Sequence, residues 1–375
     1  MISQGGRGMA MDFVKEMVEA RRCLHKRPEE GWTEFETTWF IAKRLKALGL
    51  QVTIGKANIC ESEVLVSDAM KRAAAHGVPE DFLKATEGYT GAVARFDTGK
   101  PGPTTAFRSD IDCVLVRETD NPEHLPNKLG FASERPGFMH ACGHDGHTAV
   151  GLAVAHWLVM NKDRLCGRFI LIFQPAEEGV RGARAMAASG LVDHVDYFLG
   201  GHVGGDAKLG EIAVMDGGFL ASTKFDVSIE GTPAHAGNSP ELGHSALMAA
   251  CAASLMIQGI PRNSHGETRV SVGKLEAGEG RNVIPAHAKL QMEVRGETMA
   301  VNQFMADYVY DIFAGVDKAY RVKSTVTKAG ESETLMPCPE IYPVLEKVMA
   351  KIPGTKLLPR VHSGAGSEDC ALFIR

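Results

Sequence analysis

The 375-residue chain has no apolar run long enough to cross a bilayer, and its first residues lack the hydrophobic core of a signal peptide. A cytoplasmic protein with no membrane partner is therefore the simplest expectation. Paired cysteine spacing is missing too. Cys23, Cys60, Cys113, Cys142, Cys166, Cys251, Cys338 and Cys370 are scattered, which argues against a disulfide framework or a zinc knuckle and suits a reducing compartment. Nor is there an excess of positive charge. The formal net charge of -5 would not draw the chain to nucleic acid or to an anionic membrane surface. With 44% hydrophobic and 23% charged residues the composition is that of a globular protein, and the length favours two domains over one core.

Against these absences one stretch stands out. His140, Cys142, His144 and His147 place three imidazoles and a thiol within eight residues, and a helical pattern follows at once. Soft nitrogen and sulfur donors at that density point to a transition-metal site. His140 and His147 are read as its spectators; one of them, or Asp145, could orient a ligand through a hydrogen bond. Cys142 and His144 fall just before a helix N-terminus, where the positive end of the dipole favours a thiolate.

Two apolar runs then end in residues of the ligand type. Phe169 to Phe173 leads into Gln174-Pro175-Ala176-Glu177-Glu178-Gly179, and Asp196 to Gly201 leads into His202. Both read as buried strands, and ligands in open α/β sheets gather at the C-terminal ends of strands. In an extended segment the adjacent Glu177 and Glu178 point to opposite sides, so one could bind metal while the other faces substrate. A solvated surface pair is the bland alternative, and it fits poorly after an apolar strand and a proline turn. Gly91 to Phe96 and Thr104 to Phe107 read as two strands joined by a turn over Thr98 to Pro103, the second delivering Arg108, Asp110 and Asp112 to its end. Asp110 either caps backbone groups or hydrogen-bonds a ligating histidine.

Elsewhere the pattern marks out architecture. Met1 to Met9 reads as a disordered leader, and Asp12 to Leu48 as two helices broken at Pro28 and Gly31. Asn58 to Thr90 is a polar insertion, helical around Asp68 to Ala75. From Thr223 the pattern runs strand, helix (Ser245 to Gln258), strand, strand, helix (Thr298 to Phe313), strand, the order of a ferredoxin-like unit. The expected class is α/β: a first domain over 10–219 with a mixed, mostly parallel sheet, an inserted α+β domain over 220–330, and a return to the first domain over 331–375. Within the insert His235 lies in the turn Gly231 to Gly237, Asn282 in the loop Gly280 to Pro285, and Arg295 at a strand end. Arg295 could clamp a carboxylate with its planar fork or make a sheet-end salt bridge.

Together, Phe107 to Asp112, Met139 to His147, Gln174 to Gly179, Gly231 to Gly237, Gly280 to Pro285 and Gly366-Ser367-Glu368-Asp369 resemble, in order, the two-metal amidohydrolases of the aminoacylase and carboxypeptidase type. The similarity is greatest to the branch with hippurate and indole-acetyl-amino-acid hydrolases. It implies a metallopeptidase-type catalytic domain carrying an inserted lid and dimerisation domain. It implies two divalent cations, manganese or zinc with cobalt or nickel possible, held by Cys142, His144, Glu178 and His202. Glu177 would be the general base, Asp110 a supporting residue, and His235 would reach across a dimer interface, with Asn282 and Arg295 holding substrate. The implied reaction is hydrolysis of an N-acyl amino acid amide, with p-aminobenzoyl-glutamate or a similar aryl amide expected, by a homodimer or a heterodimer with a related polypeptide. One departure is plain. The family takes a further histidine ligand from beyond the Gly-Ser-Glu-Asp motif, whereas His362 precedes it and no histidine follows. That sets two other expectations: a chain short at its C-terminus, or a non-catalytic or impaired partner subunit. An amidohydrolase for another N-acyl or diamino acid substrate is the remaining alternative.

Overall fold

The computed structural model describes residues 4–65, 77–204 and 207–374, giving the backbone alone for 4–12. It divides into two compact units, Met1–Glu211 with Leu372–Arg375, and Ile212–Ala371. In chain order the elements of the first are α1 (Gln4–His25), α2 (Phe35–Ala47), β1 (Gln51–Ile54), α3 (Glu80–Thr86), β2 (Ala92–Asp97), β3 (Thr104–Asp110), α4 (Leu125–Lys128), α5 (His144–Met160), β4 (Arg168–Gln174), α6 (Gly182–Ala187) and β5 (Tyr197–Gly200). The backbone is already helical at Gln4, where a disordered leader was expected. The helix expected around Asp68 to Ala75 lies outside the described residues.

The sheet of this unit has the order β1-β2-β4-β3-β5. Ile41 and Leu45 of α2, Ala149, Leu152 and Ala155 of α5, and Leu171 and Phe173 of β4 form one buried cluster with Ala20 of α1. Each fully buried Ile or Leu there contributes roughly 1.5–3 kcal/mol relative to exposure. The sheet is mixed but not mostly parallel. β4 runs parallel to β3, and β3 to β5, whereas β1-β2 and β2-β4 are antiparallel. The cause is the tight turn after β2, which reverses the chain without letting its two strands pair. β4 inserts between them, antiparallel to one and parallel to the other. β5 is an edge strand and half open to solvent, with Tyr197 50% exposed, so the second apolar run is not the buried strand its composition suggested.

After the short β6 (Glu211–Ile212) come β7 (Ala221–Glu230), α7 (Ala246–Gln258), β8 (Thr268–Ala277), β9 (His287–Gly296), α8 (Met299–Tyr320), β10 (Lys323–Ser332), α9 (Tyr342–Met349) and β11 (Lys356–Leu357). The four long strands form a fully antiparallel sheet in the order β10-β7-β9-β8, the ferredoxin-like arrangement expected. Strand alternation puts Phe225, Val227 and Ile229 with Leu290, Met292 and Val294 on one face. Ala249, Ala250, Ala253 and Ile257 of α7 and Met305, Val309 and Phe313 of α8 close over it. Ser245 and Thr298 cap the two helices, their hydroxyls accepting from Met248 N–H and Val301 N–H. The boundaries differ from 220 and 330. The stretches flanking the four strands bind each other: Met215 bridges Val361, Ser363 N–H donates to Gly217 O at 2.8 Å, and Leu220 N–H to Gly366 O at 2.9 Å. Residues up to Ala371 are grouped with this compact unit.

Candidate metal centre

Three parallel strands, β4, β3 and β5, bring their C-terminal ends to one edge of the first sheet. β3 ends at Asp110 and its register continues through Ile111, whose N–H meets Gln174 O at 3.0 Å, so Asp112 also stands at that edge. β4 runs out into Glu177 and Glu178, and β5 into His202. The fourth contribution is the start of α5. Gly143, with φ 89°, caps the helix between Cys142 and His144, and a Cβ there would stand 2.4 Å from Val203 Cγ2. Only glycine takes that backbone without strain while letting the His202-Val203 segment approach.

The hydrogen bonds assign the imidazole tautomers. His144 Nδ1 lies 3.0 Å from Asp112 O and 3.2 Å from Asp112 Oδ1, so Nδ1 carries a proton and Nε2 is the atom left to bind a metal. His202 Nδ1 donates to Val203 O at 2.7 Å, which likewise leaves its Nε2, 3.5 Å from Cys142 Sγ, as the atom that could bind a metal. His147 is engaged on both sides: Nδ1 meets Asp110 Oδ1 at 2.5 Å and Nε2 accepts the Val203 N–H at 2.9 Å. It orients the His202 segment and has no lone pair left for a metal. Around His144 Nε2 stand Asp110 Oδ2 at 3.7 Å, Glu177 Oε2 at 3.8 Å and Glu178 Oε1 at 3.9 Å. Glu177 and Glu178 lie in a turn opened by Ala176 with φ 51°, which lets both carboxylates face the same imidazole, where an extended segment would have sent them to opposite sides.

This arrangement fits a cation. His144 Nε2 and Glu178 Oε1 are buried with no hydrogen-bond partner among the described residues, a costly state unless something else engages them. Two ligands at about 2.1 Å from one ion lie roughly 3–4 Å apart, matching their separation. Single donor atoms of Cys142, His144 and His202, and of His144, Glu177 and Glu178, form two sets each spanning no more than 4.8 Å, with His144 common to both. The electrostatics agree. The neighbouring His144 and His202 imidazoles hold the Cys142 thiol below its ordinary value, favouring thiolate. Burial and the nearby Asp112 push Glu178 up to about 7. Burial works against a charged His144, but Asp110, Asp112 and Cys142 outweigh it and hold its pKa well above the usual histidine range. Without a cation the pocket holds protons that a cation would displace.

The histidine-holding role expected of Asp110 is divided. Asp110 binds His147 and the Arg108 guanidinium, the latter at 2.7 Å, while Asp112 holds His144 and accepts the Glu178 N–H at 2.8 Å. Asp112 was named at the strand end but given no ligand to hold, because sequence spacing does not reveal which carboxylate faces which imidazole. Glu34 was missed altogether. It is fully buried, its Oε1 accepting the Ala176 N–H at 2.8 Å, and burial together with Asp112 pushes its pKa up to about 8. Its one sequence signal was charge in a stretch otherwise read as a break between helices.

The other expected residues lie in the second unit. The His235 and Asn282 loops are laced together, with Ala236 N–H donating to Asn282 O at 3.0 Å and Ile284 N–H to Ala234 O at 2.9 Å, so both side chains sit exposed in one loop cluster. His235 Nδ1 accepts from Gly237 and Asn238 N–H, each at 3.1 Å, so the neutral ring carries its proton on Nε2. Arg295 donates through Nε and Nη2 to Glu293 Oε1 and through Nη1 to Ala365 O, the geometry of the sheet-end ion pair.

Residues 106–375 match the family model described as peptidase family M20/M25/M40. The chain is 43% identical over 369 residues to a homolog, in Haemophilus influenzae, of one subunit of p-aminobenzoyl-glutamate hydrolase, covering 96% of this chain and 87% of that one. It is 42% identical over 371 residues to the indole-3-acetyl-aspartic acid hydrolase of Enterobacter agglomerans, with 96% and 85% covered. A crystal structure of an aminobenzoyl-glutamate utilization protein from Klebsiella pneumoniae superposes with a TM-score of 0.82 at 38% identity, covering 98% of this chain and 88% of that one. With this donor set at the ends of three parallel strands, the chain belongs to the M20/M25/M40 peptidase family, whose members are metal-dependent hydrolases of amide bonds.

Proposed function

We propose that the chain hydrolyses the amide bond of an N-acyl amino acid, with an aryl amide such as p-aminobenzoyl-glutamate as its substrate. The observation that carries this reading is the pair of bare, buried ligand atoms on His144 and Glu178 with the Glu177 carboxylate beside them. Cys142, His144, Glu178 and His202 would hold two divalent cations, manganese or zinc by donor type. Bound there, the cations would acidify water and polarise the scissile carbonyl. Glu177 takes the proton from the attacking water and delivers it to the leaving amine, while Asp112 and Asp110 keep the imidazoles in register. The choice of acyl group follows relatives at 42–43% identity named for aminobenzoyl-glutamate and indole-acetyl-aspartate hydrolysis.

In this reading the first unit does the chemistry and the second serves as lid and dimerisation domain. β8 is an edge strand, and the adjoining α7 exposes Met248, Leu255 and Met256, Leu255 being 76% exposed, so the partner we infer is a second copy or a related polypeptide. His235, with Nε2–H outward, would donate to the oxyanion in the partner's active site, and Asn282 beside it would contact substrate.

The test is turnover of p-aminobenzoyl-glutamate, indole-3-acetyl-aspartate and an N-acetyl amino acid by protein loaded with manganese or with zinc. The aryl amides should be cleaved, and Glu177→Ala should lose about 100- to 10,000-fold in kcat with metal content unchanged. Undiminished turnover by that variant refutes the assignment. Protein that takes up no metal points instead to the non-catalytic partner subunit.

A further inference from the structure

Between α1 and α2 the chain makes a buried turn over Glu29 to Glu34 that touches both loops of the metal centre. On one side Cys113 N–H donates to Glu29 O at 2.9 Å and Glu30 bridges Cys113, next to Asp112. On the other the turn packs against Ala176. A Cβ on Gly31 would stand 2.8 Å from Ala176 Cα, and Trp32 adopts φ 69° to make the fit. Glu34, wholly buried, uses both carboxyl oxygens: Oε1 accepts the Ala176 N–H at 2.8 Å and Oε2 lies 2.6 Å from Thr90 Oγ1. Such a carboxyl has a desolvation cost, and the turn it meets is itself strained, since Ala176 holds φ 51° without being glycine. Beyond Ala176 the turn closes on itself, with Arg181 and Gly182 N–H donating to Ala176 O at 3.1 and 2.9 Å. The Glu34 bond thus holds the Pro175–Ala176 peptide while the bonds to Ala176 O hold the next one, and together they set the left-handed Ala176 backbone from which Glu177 departs.

We propose that Glu34 is a positioning residue that aims Glu177, acting through the Ala176 peptide. The inference rests on the reading of Glu177 as general base. A left-handed alanine relaxes toward ordinary backbone when its N–H loses the anchor, and that rotation carries the next side chain with it. Glutamine keeps the carbonyl that accepts the Ala176 N–H and offers an N–H toward Thr90 Oγ1, so it should replace Glu34; alanine cannot.

The experiment uses metal-loaded protein with p-aminobenzoyl-glutamate as the probe substrate and compares Glu34→Ala, Glu34→Gln, Thr90→Val, Glu177→Ala and the Glu34→Ala/Glu177→Ala double variant. A misaimed base predicts a kcat loss of about 10- to 100-fold in Glu34→Ala, with KM within about twofold, full metal content and most activity restored in Glu34→Gln. Because Glu34 acts only through Glu177, the double variant should be no slower than Glu177→Ala alone. A further loss in the double variant, or a loss that follows metal content, would show a merely structural role and overturn the proposal. If Glu34→Ala does not fold, Thr90→Val decides: a several-fold fall in kcat at full metal content supports the proposal, and unchanged kcat overturns it. Should Glu177→Ala retain full activity, the catalytic reading itself fails; an inactive Glu177→Ala beside an unimpaired Glu34→Ala sinks only the positioning role.

Discussion

Replacing Gly143 by alanine tests how the helix cap builds the metal centre. At φ 89° an L-residue meets a backbone penalty of about 1–2 kcal/mol, and the added methyl would stand 2.4 Å from Val203 Cγ2. Valine is stiff at χ1, so the clash is relieved by moving the Val203 backbone rather than by a rotamer change, an overpacking cost of about 1–3 kcal/mol. Together about 2–5 kcal/mol is lost, and at roughly 2–4 °C per kcal/mol for a unit of this size the melting temperature should fall by about 4–20 °C. The displacement also reaches the site. Val203 O accepts a hydrogen bond from His202 Nδ1–H and Val203 N–H donates to His147 Nε2, so His202 shifts and metal affinity should drop about 10- to 100-fold. Calorimetric melting and competition against a chromophoric chelator read the two effects separately. Adding Val203→Ala, at a side chain already 48% exposed, removes the clash but not the backbone penalty. The pair should recover most of the metal affinity and only part of the stability. Native affinity in Gly143→Ala, or no recovery in the double variant, would refute this account of the cap.

Two further outcomes follow from the geometry. With His144 held well above its usual pKa and Glu178 raised to about 7, the metal-free site is protonated at neutral pH, so loading must release protons. Affinity should therefore rise with pH and level off above the metal-free pKa values; calorimetric titrations with zinc in two buffers of different ionisation enthalpy would disprove this by showing no release near pH 7. If α7 forms the dimer face, Leu255→Glu should convert a dimer to monomers in light scattering and leave the melting of the second unit nearly unchanged, because the side chain is exposed. A dimer that persists in that variant places the interface elsewhere.

Periodicity and local chemistry settled much of this protein in advance. The spacing of Phe225, Val227 and Ile229, the alanine-rich stripe from Ala246 to Ile257 and the strand-helix order after Thr223 depend on neighbours in the chain, and the ferredoxin-like sheet followed from them. The donor cluster from His140 to His147 was legible for the same reason, its members being local in sequence. What was not legible depended on distance across the fold. That β4 inserts between β2 and β3, that Asp112 rather than Asp110 holds His144, that His147 is saturated by Asp110 and Val203, and that Glu34 anchors Ala176 are facts of long-range pairing. Residue types announce which groups can bond, because chemistry is local. Which of several carboxylates meets which imidazole is decided only when sheet order and the strain of turns such as that at Ala176 bring distant segments to within a hydrogen bond of each other.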